Sequence, residues 1–275
     1  MQRWFMIFLA ILGSGISVYA QEDLKSFKTN ADSFYYKIIT PEVKNFTCMI
    51  TSDRYIDFIR QYGDSTHYYP IKFVWTPMGT AYVLESVPQL SDSLRRETLT
   101  RAQVLKNLFD KIFLDVQRYV IMSPLAGIPD DAAAKFSADT VGVSYTFDEN
   151  NEVVKVKHSL TRAGQIFRTV WTLGEQKILN RIMYDEVAGK WLCFGWQKQG
   201  YAGDKVLSGL AIGIEYQKRE ERFLPLRFDI VAQQREGESE QIVSGSYVIF
   251  LKDFSFNENI EIRPVEPEAK PEPEP

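Results

Sequence analysis

From Thr140 onward, apolar and polar side chains alternate with a period of two in a series of stretches separated by short turns. These are Val141 to Phe147, Val153 to Leu160, Ile166 to Leu173, Ile178 to Tyr184, Trp191 to Gln197, Val206 to Gln217, Leu224 to Gln233 and Gln241 to Phe254. Separators such as Asp148-Glu149-Asn150-Asn151 and Ala188-Gly189 are too short for crossovers, which predicts an antiparallel meander. Two earlier alternations, Phe46-Cys48-Ile50 and Tyr69-Ile71-Phe73-Trp75, predict two more strands. The turn Pro77-Met78-Gly79 leads into another over Ala81 to Val87.

Two segments carry the helical period instead. Leu24, Phe27, Phe34, Tyr35 and Ile38 predict a helix over Glu22 to Ile39, closed by Pro41. Thr100-Arg101-Ala102-Gln103 has the form of a capping box, and Leu105, Leu108, Phe109, Ile112, Phe113, Val116, Tyr119 and Val120 behind it fall on one apolar arc. Leu114 is the misfit, on the charged face with Lys106, Asp110 and Gln117. Pro124, Gly127 and Pro129 end this helix and begin an irregular connection to about Asp139.

Several strands are apolar on both faces, Ile242 to Phe254 most plainly, so something must cover the second face. With two long helices for so many strands, the pattern predicts an α+β fold: a strongly curved antiparallel sheet, an unclosed β-barrel, with helices on its concave side. Its interior is either a filled core or an apolar cavity open to a ligand. For the cavity, large apolar side chains on the strands and the helix arc are the candidate lining: Trp75, Leu108, Ile112, Trp171, Trp196, Leu210, Ile212 and Phe250.

Composition narrows the function classes. With 45% hydrophobic and 25% charged residues the chain is not of the disordered type. Its 32 basic and 36 acidic residues, net −4, leave no electrostatic footprint of a nucleic-acid partner. His67 and His158, with Cys48 and Cys193, are too few for the common zinc spacings, so no metal or cofactor is expected. No nucleophile-and-base motif occurs, which argues against an enzyme and leaves no catalytic residue to name. The two cysteines allow one disulfide or two buried thiols.

Residues 1–20, with Arg3 ahead of the run Trp4 to Leu12 and a Val18-Tyr19-Ala20 exit, read as a signal peptide of a periplasmic or secreted protein that is soluble after cleavage. Residues 21–260 are expected to form a single domain, and the Pro- and Glu-rich residues 261–275 a disordered tail.

The closing segment, Arg222-Phe-Leu-Pro-Leu-Arg-Phe-Asp-Ile230 followed by Ser246-Tyr-Val-Ile-Phe-Leu-Lys-Asp-Phe254-Ser-Phe-Asn257, resembles the last hairpin of the periplasmic outer-membrane lipoprotein-sorting carriers. The order of elements is similar to that superfamily too. The resemblance implies an unclosed barrel whose apolar concave surface, lidded by helices, accepts acyl chains. The expected function is a carrier of a lipid or an acylated protein without covalent chemistry, and the expected state is a monomer. The alternative is a structural or interaction module of the cell envelope, with a filled barrel and an envelope protein as partner.

Overall fold

A period of two sends successive side chains of a strand to opposite faces, so each alternating stretch settles which residues it offers to a core. The computed structural model describes residues 23–259, apart from 63, 64, 86, 88, 89 and 236–241. The expected signal peptide and tail lie outside the described residues.

The chain runs through α1 (Leu24–Asp32), β1 (Phe46–Ser52), α2 (Asp53–Ile59), β2 (Ile71–Thr76), β3 (Gly79–Leu84) and α3 (Asp92–Val116). A π-helical turn, Gln117–Ile121, extends α3 and is followed by β4 (Ala133–Phe136) and β5 (Thr140–Glu149). The meander continues as β6 (Glu152–Thr161), β7 (Ile166–Leu173), β8 (Gln176–Val187) and β9 (Lys190–Ala202). It ends with β10 (Lys205–Arg219), β11 (Arg222–Arg235) and β12 (Ile242–Phe256).

All of these strands form one 12-stranded antiparallel sheet in the order β3-β2-β1-β12-β11-β10-β9-β8-β7-β6-β5-β4. The join between the first and last parts of the chain is β1 against β12, with Ile50 opposite Leu251 and Phe46 opposite Phe256. The α+β expectation holds, whereas the strongly curved, unclosed barrel is corrected: β3 and β4 are free edges, and the sheet is neither closed nor strongly curled. That expectation assumed that both faces of the two-sided strands must be buried. Instead, helices cover one face, and Val153, Phe167, Val206 and Val231 on the other remain between 38% and 53% exposed.

Helix boundaries also depart from the periodicity. Helix α3 begins at Asp92 rather than Thr100, whose hydroxyl donates to the Arg96 carbonyl (3.0 Å) inside the helix. Its first turns are held by side-chain pairs, Arg95 with Asp92 (3.5 Å) and Arg101 with Glu97 (2.7 Å), and carry little apolar signal. Helix α1 ends at Asp32; Phe34 sits in the turn that follows, and Tyr35 and Tyr36 lie beyond it outside any helix. There the Tyr36 amide donates to the Trp191 carbonyl and the Ile39 amide to that of Ile121. Helix α2 and strand β4 fall in stretches that the periodicity left as loops; α2 is capped by the Ser52 hydroxyl, which accepts from the Tyr55 amide (3.2 Å).

The covered face holds the main core, and a smaller cluster joins Tyr55, Phe58 and Ile59 of α2 to Val87, Leu90 and Ala102. Leu105, Phe109, Ile112, Phe113 and Val116 of α3 are buried against β1 and β2, with Phe73 5.5 Å from Phe109 and 5.2 Å from Phe113 between ring centroids. The π-turn carries this layer on to β9, where Tyr119 meets Trp196 at 5.8 Å. Helix α1 caps the β4 end, Phe27 standing edge-on to Phe136 at 5.5 Å. The approach there is close: a Cβ on Gly164, whose φ is +95°, would lie 2.2 Å from the Ala31 Cβ. The Tyr35 hydroxyl fastens the same corner, donating to the Gly164 carbonyl (2.9 Å) and accepting from the Ile166 amide (2.7 Å).

Phe109→Asp or Ile112→Asp, each placing an unpaired carboxylate at a site 1% exposed, should lower the unfolding free energy by at least about 3 kcal/mol. Leu114→Asp, at 74% exposure, should change it little. Urea unfolding checks this; equal losses in all three variants would mean that the helix presents a different face to the sheet.

Candidate functional site

Where α3 gives way to the π-turn, the helical layer no longer fills the space above the sheet. A crevice of about 410 Å³ opens there, between the C-terminal end of α3 and the covered face of β5 to β9. Its floor is Phe147 of β5, Val154 of β6, Trp171 and Leu173 of β7, and Ile178 of β8. Strand register explains the grouping: Phe147 is opposite Val154, and Trp171 is opposite Ile178. Leu114 reaches in from the helix side. Phe147 and Ile178, at 42% and 41%, are exposed although they sit on the apolar side of the sheet. An apolar pocket left open on an otherwise packed face is the type of surface that takes a ligand or a partner.

The rim is charged. Arg118, the second residue of the π-turn, holds its guanidinium over the Trp171 ring, 5.2 Å from the centroid. Lys111 of α3 stands on the same rim, and Lys198 of β9 forms an ion pair with Asp115, whose side chain is only 5% exposed. Glu149 and Gln176 complete the lining. Lys111, Leu114, Asp115 and Arg118 follow the i, i+3, i+4, i+7 spacing of one helix face, which is the face turned to the crevice.

Behind the crevice the strands carry buried polar groups that are paired with one another. Asn180 Nδ2 donates to the Tyr119 hydroxyl (3.0 Å). His158 is 2.9 Å through Nδ1 from the Thr169 hydroxyl and 3.3 Å through Nε2 from the Tyr145 hydroxyl. Burial, with the Arg118 charge adding to it, pushes the His158 imidazole down to about 4, so the ring is neutral at pH 7. Burial acts the other way on Cys193, pushing its thiol up to about 12, and raises Cys48 as well. Both thiols are free, and β12, β11 and β10 lie between their strands in the sheet.

The remaining polar candidates fall elsewhere. His67 is half-buried in a 3₁₀ turn, Ser65–His67, and Asp130 of the Asp130-Asp131 pair is bound to Lys28 (2.8 Å). Among the described residues no three of His, Cys, Asp and Glu converge as metal ligands, and no helix is long and apolar enough to cross a membrane.

The lining residues expected from sequence do not converge on one cavity. Trp75, Ile112, Trp196 and Ile212 are buried in the packed core. Leu108 is half-buried on α3, and Leu210 is half-buried on the covered face of β10. Phe250 lies on the opposite face of β12, with the Arg227 guanidinium 5.9 Å from its centroid. Trp171 is the one of the eight that lines the crevice. Phe147, Leu173, Ile178, Arg118 and Leu114 were not among them, although Leu114 had a signal of its own as the apolar misfit of the charged helix face.

No protein-family model, curated protein or solved structure matches the chain.

Since the folded-state His158 titrates below its ordinary value of 6.5, the unfolded chain takes up that proton first. The associated stability is complete above pH 6.5 and falls as the pH drops from 6.5 toward 4, by about 2 kcal/mol between pH 7 and pH 5. Chemical unfolding at the two pH values should show this loss in the wild type and a smaller one in His158→Gln. The same loss in both would mean that other groups carry the pH dependence.

Proposed function

We propose that the protein binds the apolar chain of an amphiphile, a fatty-acyl chain or a similarly elongated group, in the crevice under the end of α3, and leaves it chemically unchanged. The observation that carries this reading is the convergence of Leu114, Phe147, Trp171, Leu173 and Ile178 on an open space of about 410 Å³. That volume is in the usual range for small-molecule sites. The chain lies along the apolar floor, and a negatively charged head faces Arg118 and Lys111 at the rim. The N-terminal residue pattern supports a periplasmic or secreted setting in which lipid or an acylated protein is the cargo, as in the lipoprotein carriers that the closing segment resembles, although the curved barrel of those carriers is not the fold here.

A second reading has its own support. Trp75, Ile112, Trp196 and Ile212 are tightly buried, which favours a filled interior and makes the crevice a socket for the side chain of an envelope protein. The two readings differ in how they respond to ligand length.

Each methylene moved from water into an apolar site is worth about 0.8 kcal/mol, or about fourfold in affinity. Titration with a series of saturated fatty acids, followed by displacement of a fluorescent analogue, should therefore show affinity rising by about that factor per methylene until the crevice is full. Ile178→Asp should weaken the longest chain by at least about tenfold while leaving thermal unfolding nearly unchanged, since Ile178 is 41% exposed. Absence of binding at every chain length would leave the protein-socket reading in its place.

A further inference from the structure

We propose that the uncovered face of the sheet, over β4 to β8, docks the protein on an anionic lipid surface. Lys135, Lys155, Lys157, Arg168, Lys177 and Arg181 are all exposed and all point to this face. They form a contiguous block. Lys155 and Lys177 flank Thr172 across three adjacent strands, and Arg168 stands directly opposite Arg181. Two grooves of about 630 Å³ and 520 Å³ run over the block and share Ser144, Lys157 and Arg168, so they form one trough.

Like charges directly opposite one another oppose sheet pairing, so the Arg168–Arg181 arrangement works against stability unless an anion screens it. Among the described residues none of the six cations is ion-paired to a carboxylate. The carboxylates of β4 to β8 lie at strand ends, Asp148, Glu149 and Glu152 at one hairpin and Asp185 and Glu186 at the far end of β8. A chain with net charge −4 thus keeps one local cationic surface.

Two features favour a lipid surface over a soluble polyanion. Val153 and Phe167 are 53% and 38% exposed on the same face, Phe167 lining the trough beside Arg168. Ser144, Thr146, Ser159 and Thr172 line it with hydroxyls suited to phosphate oxygens. Lipid headgroups offer phosphate to the cations and an apolar layer to Phe167 and Val153 together, whereas a polyanion satisfies the charges alone. The proposal stands apart from the acyl-chain reading, because it uses the opposite face of the sheet and none of the crevice residues.

Co-sedimentation with phosphatidylcholine vesicles, with and without phosphatidylglycerol, tests it. Binding is expected only with phosphatidylglycerol, weakening as salt is raised. Lys157→Glu combined with Arg168→Glu should reduce the vesicle partition coefficient by at least about tenfold. Arg96→Glu, exposed on α3, should leave it unchanged. Thermal unfolding of the double variant should be no lower than wild type, since the substitution relieves the Arg168–Arg181 repulsion. Phe167→Ser should weaken vesicle binding and leave heparin binding as it was. Equal binding to neutral and anionic vesicles, full binding by the folded double variant, or binding to heparin with none to vesicles would each overturn the proposal.

Discussion

A sheet of 12 strands has two faces, and this chain supplies a helical layer for only one of them. The constraint acts on every level of the structure. On the covered face the strands place Phe46, Phe73, Trp196, Ile212, Phe228 and Ile249 against α1, α3 and the π-turn, and the main core results. On the other face the same strands must remain compatible with water, which they do with lysine, arginine, serine and threonine and with scattered apolar residues. The free edges β3 and β4 follow from the same economy, since among the described residues no further strand closes the sheet.

The helical layer is also too short to reach every strand. Helix α3 packs firmly on β1 and β2, and the π-turn extends its contact as far as Trp196 on β9. Beyond that line the ends of β5 to β8 still present apolar side chains upward, with Lys111, Leu114, Asp115 and Arg118 around the open space above them. The crevice is therefore a consequence of length and register, and its charged rim follows from the polar face of α3. Beneath the crevice the neutral His158 is bonded to the Thr169 hydroxyl and Asn180 Nδ2 to the Tyr119 hydroxyl, whereas the Asn180 Oδ1 is buried without a partner.

Much of this was legible in the residue pattern, and the failures have physical causes. Strand β7 coincides with its expected span, and β5 to β12 occur in the order and pairing that their alternation and short turns dictate. The start of α3 was misplaced because its first turns are stabilised by charged pairs, which leave no apolar period, and because Thr100 mimics a cap. Aromatic residues of the segment after Asp32 match a helical spacing by coincidence, while the chain there turns at Phe34 and then bonds to Trp191 and the π-turn. Apolar residues on both faces suggest a curved sheet buried on both sides, yet here the second face stays in water, with Val153 and Val231 exposed. The site was only partly visible: Trp171 was expected, but which large side chains share one end of one face depends on register, and the bulge between Ser159 and Leu160 and the π-turn both alter it. Trp75, Ile112, Trp196 and Ile212 have the same chemistry as the crevice residues and went to the core instead.

The central claim is that an acyl chain occupies the space between Leu114 and the floor formed by β5 to β8. Methyl-resolved NMR of the protein with a spin-labelled fatty acid, the nitroxide near the end of the chain, tests it most directly. The account predicts saturable broadening of the Leu114, Leu173 and Ile178 methyl signals, with Val206 and Val231 on the opposite face unaffected. Broadening of the opposite-face methyls alone, or none at saturating ligand, would contradict it.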